Sequence, residues 1–236
     1  MLIKPGAAAL QNRHIMDHIV KILSITNVTH NVRQYNIEKP KGFHFEPGQA
    51  TNVSINEPEW KKELRPFTFT CLNSDPYLQF TIKSYTDHDG VTNRLGHLKV
   101  GDELIIRDVW GAITYKGPGY FIAGGAGITP FIAILRQLHA DGKLAGNTLF
   151  FSNKTDKDII LKEELEAMLG ENARFNITAR ADTGYDHRKV NAGFLKAEVK
   201  DFSKRFYVCG PDEMVSEISK TLEKLGAKAD EVVFEK

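Results

Sequence analysis

The second half of the chain alternates short apolar runs with helix-like segments, and this alternation constrains the fold most. Strand patterns occur at 120–123, 148–152, 174–180, 205–209 and 231–234. Helical patterns separate them at 130–140, 159–169, 191–199 and 212–225. Such alternation is typical of a parallel sheet covered by helices on both faces, with ligands bound beyond the carboxyl ends of the strands. We therefore expect residues 116–236 to form an α/β domain with a ligand-binding rim.

The first of these strands runs into a glycine-rich turn and then a helix. The glycines of this turn are Gly124, Gly125 and Gly127. Thr129 is predicted to cap the helix, with Pro130 at its first position, where no backbone N–H is needed. Glycines let the backbone approach a ligand, and a helix N-terminus favours an anion. A dinucleotide pyrophosphate is the expected ligand, although such a turn alone is equally typical of close packing.

The first half of the chain has only strand patterns, apart from one short helix. The strands are predicted at 19–26, 32–37, 49–55, 66–71, 77–85 and 103–108. The helix is predicted near 92–98, with Gly90 before it and Thr92 as its cap. Short strands at this spacing predict an antiparallel barrel or sandwich over residues 16–115.

Composition excludes several classes of protein. With 236 residues the chain is long enough for two modest domains, and its net charge of +1 implies no attraction to nucleic acid. No apolar run approaches the roughly 20 residues that span a bilayer. Two cysteines cannot form a disulfide framework or bind an iron–sulfur cluster, and the histidines show no metal-ligand spacing. We expect a cytoplasmic protein without a metal site, in which residues 1–15 are a flexible extension.

The sequence Arg65-Pro66-Phe67-Thr68 combines a guanidinium, an aromatic ring and a hydroxyl at the start of a strand. A guanidinium is a natural phosphate partner, and an aromatic ring can stack on a planar ligand. Taken alone, the same four residues are also typical of an aromatic core strand with a surface arginine.

Five motifs, in order, resemble those of the ferredoxin–NADP reductase family. Residues 65–68 resemble its flavin-binding signature, and 89–93 its second flavin element. Residues 45–49 are similar to its barrel turn, 125–130 to its pyrophosphate loop, and 209–214 to its Cys-Gly-Pro element. The resemblance implies a six-stranded antiparallel flavin-binding barrel followed by a parallel-sheet nucleotide-binding domain.

The resemblance also implies roles for individual residues on the flavin side. Arg65 would bind the flavin phosphate, Phe67 would stack on the isoalloxazine ring, and Thr68 would hydrogen-bond its reactive nitrogen as a catalytic contact. Phe67 replaces the commoner tyrosine, so stacking is kept but a phenol hydrogen bond is lost. Further flavin contacts are implied for Pro66, Ile82, Lys83, Ser84, Gly90, Val91 and Thr92.

On the nucleotide side the resemblance makes Cys209 the second catalytic contact, touching the nicotinamide. Further nucleotide contacts are implied for Gly125, Gly127, Ile128, Thr129, Gly210, Pro211 and Met214. Phe234, the last aromatic residue, would shield the flavin. It is equally typical of a core residue on an edge strand.

Residues 152–161 bear on the choice between NADH and NADPH. Asn153 and Lys154 follow the second strand of the α/β half, where NAD sites often have an acidic residue. Lys154 could contact a ribose phosphate, which favours NADPH, or be a solvated loop lysine. The stretch 149–165 resembles the cytochrome b5 reductase branch, which prefers NADH. NADH is therefore favoured, with NADPH left open.

Together these features predict an NAD(P)H-dependent flavoprotein reductase. Hydride would pass to bound FAD, with FMN as the alternative, and electrons would pass to a separate acceptor such as ferredoxin, flavodoxin or a small molecule. Two other functions stay open: an NAD(P)H:free-flavin reductase, and an electron-transfer subunit of a larger complex.

Overall fold

The structure, a computed structural model, describes residues 17–111, 113–179 and 184–227 and the backbone of 232–234. The predicted extension at 1–15 and the side chain of Phe234 lie outside this part of the chain. The first half contains β1 (His18–Asn27), β2 (Val32–Glu38), β3 (Gln49–Ile55), β4 (Arg65–Thr68), β5 (Tyr77–Lys83), α1 (Val91–Leu95) and β6 (Glu103–Gly111).

These six strands form one antiparallel sheet in the order β4-β3-β6-β1-β2-β5. A bridge between Phe69 and Phe80 links the end of β4 to β5, so the two edges of the sheet meet. Buried aromatic side chains, including Tyr35, Phe69 and Phe80, fill the interior. This arrangement confirms the six-stranded antiparallel barrel.

Two local predictions in this half are wrong. The strand expected at 66–71 ends at Thr68, because Thr68 and Ala50 form the last pair of the ladder with β3; the Phe69 amide still donates to the Gln49 carbonyl, at 3.1 Å. The Thr70 amide instead donates to the Gln79 carbonyl of β5 at 2.9 Å, so the chain turns the barrel corner here. The predicted cap Thr92 lies inside α1, and Gly90 holds the N-cap position.

The second half forms a parallel sheet in the order β11-β10-β7-β8-β9. Its elements are β7 (Gly119–Gly124), α2 (Thr129–Ala140), β8 (Thr148–Asn153), α3 (Lys162–Leu169), β9 (Ala173–Ile177), α4 (Ala192–Glu198), β10 (Arg205–Cys209), α5 (Asp212–Lys224) and β11 (Val232–Phe234). The predicted strand–helix alternation over a parallel sheet is therefore confirmed. Apolar clusters occupy both faces, one beneath α2 and α3 and the other beneath α4 and α5.

Two helix starts in this half differ from the prediction. The glycine turn is a 3-10 turn, Gly125–Ile128, that continues directly into α2. Thr129 is therefore the first residue of α2 rather than its cap, and no side chain caps this helix. Helix α3 begins at Lys162 instead of residue 159, because Leu161 adopts a left-handed conformation with φ of 54°.

The barrel packs against the α2 and α3 side of the parallel sheet. Val32 of β2 is 1% exposed and belongs to the same apolar cluster as Phe131 and Leu135 of α2 and Leu165 of α3. Within the described ranges, no helix has the length and apolarity needed to cross a membrane.

Candidate functional site

A cavity of about 610 Å³ lies at the carboxyl ends of β7, β8 and β10. Most of the predicted nucleotide contacts line it: Gly125, Gly127, Thr129, Asn153, Lys154, Cys209, Gly210, Pro211 and Met214. Lys83 and Tyr85 line it from the barrel. Ile128 does not, because its side chain is fully buried in the apolar core, so only its backbone could contact a ligand.

Close backbone approach shapes the floor of this cavity. A Cβ added at Gly127 would overlap the Cys209 carbonyl, and one added at Gly124 would overlap the Met214 sulfur. Gly125 has φ of 51° and nothing near its Cα on the side where a side chain would stand. Only glycines at 124 and 127 let the loop after β7 pack against the loop after β10 without displacement, while Gly125 leaves its backbone open to a ligand.

Asn153, the last residue of β8, lines the cavity, and the hydrogen bonding of its side-chain amide is unsatisfied within the described ranges. Its side chain is buried, with the residue 4% exposed, yet neither its Oδ1 nor its Nδ2 has a hydrogen-bond partner among the residues that the structure describes. Its backbone carbonyl, by contrast, accepts from the Thr178 amide at 2.9 Å. A buried amide without partners costs roughly 1–3 kcal/mol, so this pair of atoms fits a ligand that supplies both a donor and an acceptor.

Asp158 also lines the cavity, and it was not among the residues predicted from the sequence. Its Oδ2 accepts from the Thr155 amide at 2.9 Å and the Thr155 hydroxyl at 2.7 Å. Its Oδ1 lies 3.8 Å from Nε2 of His30, in the turn between β1 and β2. The Thr-x-x-Asp spacing of a capping box was the available signal for this fixed carboxylate. The neighbouring Lys154 is exposed.

The predicted flavin contacts on β4 lie outside the lining of this cavity. The Arg65 side chain is exposed, and within the described ranges its Nη1 donates to the Leu64 carbonyl alone, at 2.7 Å. Phe67 is half-buried, with its ring centroid 6.1 Å from that of Phe80, and Thr68 is 8% exposed. Among the described residues, Arg65 makes no ion pair. An exposed guanidinium two residues before a half-buried ring fits a group that is both phosphorylated and planar.

The remaining flavin candidates surround the end of β5 and the start of α1. Ile82 and Val91 are buried, and Gly90 and Thr92 are half-buried. Ser84 lines a second cavity of about 350 Å³. Tyr85 was missed by the sequence analysis. It is 46% exposed at the mouth of the larger cavity, with Lys83 Nζ 5.8 Å from its ring centroid. In the sequence it is only the last residue of the strand predicted at 77–85, and its exposure after the end of β5 is known from the structure alone.

The two cysteines have different environments. Cys209 is 5% exposed and lines the cavity, where the sequence analysis expected the nicotinamide. Cys71 lies in the barrel core, and its Sγ accepts from the Gln79 amide at 3.1 Å. Burial raises the pKa of the Cys71 thiol to about 11, so this thiol stays protonated near neutral pH.

Comparison with known families matches each half of the chain to one cofactor. Residues 18–102 match the family model described as FAD-binding domain. Residues 121–220 match the model described as oxidoreductase NAD-binding domain. Both models agree with the predicted cofactors, FAD and a nicotinamide nucleotide.

Curated relatives include reductases with different partners. The chain is 30% identical to NADH-cytochrome b5 reductase 1 of Pyricularia oryzae, over 86% of this chain and 72% of that protein. It is 26% identical to the reductase component of propane 2-monooxygenase of Rhodococcus jostii, over 98% of this chain and 65% of that protein.

Solved structures share the fold at low sequence identity. The CS-b5R domains of human Ncb5or, in the NAD+ form, give a TM-score of 0.83 at 20% identity, over 96% of this chain and 71% of that one. A ferredoxin NADP+ reductase from Neisseria gonorrhoeae with FAD and NADP gives 0.80 at 20% identity, over 93% and 98%.

Proposed function

We propose that this chain, which belongs to the ferredoxin–NADP reductase family of flavoprotein oxidoreductases, transfers hydride from NADH to bound FAD. Electrons would then pass from the flavin to a separate redox protein. The observation that carries the proposal is the 610 Å³ cavity. This cavity is lined by the end of barrel strand β5, by the glycine loop after β7 and by Asn153. The Asn153 side-chain amide has no hydrogen-bond partner among the described residues.

The barrel would hold FAD through groups that have few partners within the protein. The Arg65 guanidinium is exposed and, in the part of the chain that the structure describes, bonds only to a neighbouring carbonyl, so it is available to a phosphate. Phe67 offers a ring face, and Thr68 a hydroxyl directed from the same strand. When bound, FAD would supply the redox chemistry, since a flavin can accept two electrons together and release them one at a time. The protein would orient the two cofactors and exclude water from the site.

The nucleotide half would bind NADH with its pyrophosphate at the loop 125–129. Asn153 would satisfy its buried amide on the nucleotide. Asp158 favours NADH over NADPH, because a carboxylate fixed at the cavity wall repels a ribose phosphate and accepts from ribose hydroxyls. Lys154 opposes this preference, but it is an exposed loop side chain, and its attraction to phosphate is therefore screened by solvent.

The acceptor is proposed to be a small redox protein that docks at the flavin. The names of two relatives, a cytochrome b5 reductase and the reductase component of a monooxygenase, support a haem protein or an oxygenase component. Ferredoxin and flavodoxin remain candidates, and a cytoplasmic location remains our prediction.

Anaerobic single-turnover reduction of the purified flavoprotein tests this proposal. We expect NADH to reduce the flavin faster than NADPH, and Asp158→Ser to narrow that difference. The reduced enzyme is then offered cytochrome b5, ferredoxin and flavodoxin, and oxidation of its flavin is followed. Absence of bound flavin, or no reduction by either nucleotide, would overturn the proposal. A loosely held flavin that turns over as a substrate would instead identify a free-flavin reductase.

A further inference from the structure

Arg136, on α2, connects the two halves of the molecule through one guanidinium. Its Nη1 donates to the Thr70 carbonyl at 2.5 Å and to Oε1 of Gln79 at 2.8 Å, both in the barrel. Its Nε and Nη2 donate to the two carboxylate oxygens of Glu164 on α3, at 2.5 and 2.8 Å. The Arg136 side chain is only 21% exposed. The planar fork of arginine suits this arrangement, because it can hold a carboxylate and two further acceptors at once.

The barrel acceptors of Arg136 are themselves fixed. The Thr70 hydroxyl lies 3.0 Å from the Oε1 of Gln79, and Gln79 Nε2 donates to Asn36 Oδ1 at 2.9 Å. Gln34 Nε2 also donates to the Oε1 of Gln79, at 3.2 Å. The guanidinium therefore bonds to a polar network built on several strands, rather than to one adjustable side chain.

Both ends of this connection lead to a proposed cofactor contact. Thr70 is two residues after Thr68, on the segment that turns the barrel corner. Arg136 is on the helix that begins at Thr129, directly after the loop 125–128. A shift at Arg136 would therefore move the pyrophosphate loop relative to the flavin strand.

We propose that Arg136 is a positioning residue that sets the separation of flavin and nicotinamide. The inference rests on the proposed function. Hydride transfer requires the reacting atoms to lie at about 3–3.5 Å, and a displacement of about 1 Å can cost about 100-fold in rate. Most of the contacts proposed for each cofactor lie within one half; Lys83 and Tyr85 are the residues that the barrel adds to the nucleotide cavity. Loss of Arg136 should therefore slow hydride transfer while leaving both cofactors bound.

The test compares Arg136→Met and Arg136→Lys with Arg174→Met. Arg174 pairs with Glu198 on the surface, away from the barrel, and so provides a matched loss of one arginine–glutamate pair. We expect single-turnover flavin reduction by NADH to fall about 10- to 100-fold in Arg136→Met. Flavin content and the Kd for NAD+ should stay at the wild-type values. Arg136→Lys, which keeps the charge but not the fork, should recover only part of the rate.

A second readout does not depend on activity. Spin labels at Lys41→Cys in the barrel and Lys220→Cys in α5, both exposed sites, report the separation of the halves in flavin-free protein. The distance distribution should broaden or shift in Arg136→Met and not in Arg174→Met. Arg136→Lys, the milder change, serves the same comparison if the methionine variant does not fold.

The outcomes separate this inference from the proposed function. If NADH cannot reduce the wild-type flavoprotein, the proposed reductase function is refuted. The spin-label distances would still test whether Arg136 fixes the separation of the two halves. Wild-type rates and distances in both Arg136 variants would overturn the inference. A rate loss matched by an equal loss of NAD+ affinity would also overturn it, because Arg136 would then act on binding.

Discussion

Gly127 and Cys209 meet backbone to backbone, with no room for a side chain on the glycine. This contact joins the loop after β7 to the end of β10, so the two segments that would hold the pyrophosphate and the nicotinamide are positioned by each other. Packing density alone makes this glycine necessary, since its φ is not in the left-handed region.

Gly127→Ala should weaken nucleotide binding without releasing the flavin. The added Cβ overlaps the Cys209 carbonyl, and overpacking of this kind costs about 1–3 kcal/mol. We expect the Kd for NAD+, measured by titration of the flavin absorbance, to rise about 5- to 150-fold. Gly193→Ala in α4 is the control, because its Cβ would meet only Asn191 Oδ1, at 3.4 Å. Unchanged affinity in Gly127→Ala would mean that the loop can move at no cost.

Asn153→Leu should raise the stability of the nucleotide-free protein and lower its affinity for the nucleotide. Removing a buried amide that has no partner among the described residues should raise the free energy of unfolding of nucleotide-free protein by about 1–3 kcal/mol. The Kd for NAD+ should rise about tenfold through loss of hydrogen bonds to the ligand. Denaturant unfolding and ligand titration measure the two effects.

Asn147→Leu provides the contrast for Asn153. Asn147 is equally buried, but it accepts from the Gly119 amide at 3.1 Å and donates to the Leu144 carbonyl at 3.1 Å. Its replacement should lower stability and leave NAD+ affinity unchanged. If Asn153→Leu behaves in the same way, Asn153 is a structural residue.

Thr68→Val should slow reduction of the flavin by NADH more than it weakens flavin binding. Valine keeps the shape of this buried position, so only the hydroxyl contact to the flavin is lost. One such hydrogen bond corresponds to about a 5- to 10-fold effect on rate. Stopped-flow reduction gives the rate, and flavin retained after dialysis gives the binding; Thr26→Val on the exposed end of β1 is the control. Loss of flavin at an unchanged rate would contradict the assignment.

Protein stability should decrease between pH 9 and 11 through Cys71. The folded state raises the pKa of this thiol from 9.0 to about 11, so over this interval the unfolded chain loses a proton that the folded chain retains. The Cys71 thiol contributes about 3 kcal/mol to the free energy of unfolding below pH 9, and this contribution is lost by pH 11. Unfolding in urea at several pH values measures this slope.

Cys71→Ala should reduce the slope without abolishing it. Burial also raises the pKa values of Tyr35 and Tyr207, which titrate in the same direction. A slope equal to that of the wild type in Cys71→Ala would show that the thiol does not contribute.

Much of the fold followed from local patterns in the sequence. Strand–helix alternation predicted the parallel sheet of the second half, and the succession of strand patterns predicted the antiparallel sheet of the first half. Both predictions were possible because the apolar pattern of each strand is local to that strand. Helix starts were less predictable: Thr129 has the side chain of a cap, but the preceding 3-10 turn already supplies helical backbone. Capping preferences assume an extended entry to the helix, and the glycine turn does not provide one.

Contacts between distant segments could not be predicted from the sequence. Asn153 was identified because it ends a strand at the ligand-binding rim, which is a local property. Arg136 lies 66 residues from Thr70 and 57 from Gln79, and nothing in its immediate sequence distinguishes it from a surface arginine on a helix. Asp158 was missed because its carboxylate matters through its place on the cavity wall.

The strand order of the two sheets also fixes when each can close during synthesis on the ribosome. All six barrel strands have been made once the chain reaches Gly111, so the flavin half can complete its sheet early. Strand β7 pairs on one side with β10, which is translated only after β8, β9 and three helices. Until Arg205–Cys209 emerges, one edge of β7 has no partner and is open to mispairing. The flavin half should therefore become resistant to protease in nascent chains well before the nucleotide half does.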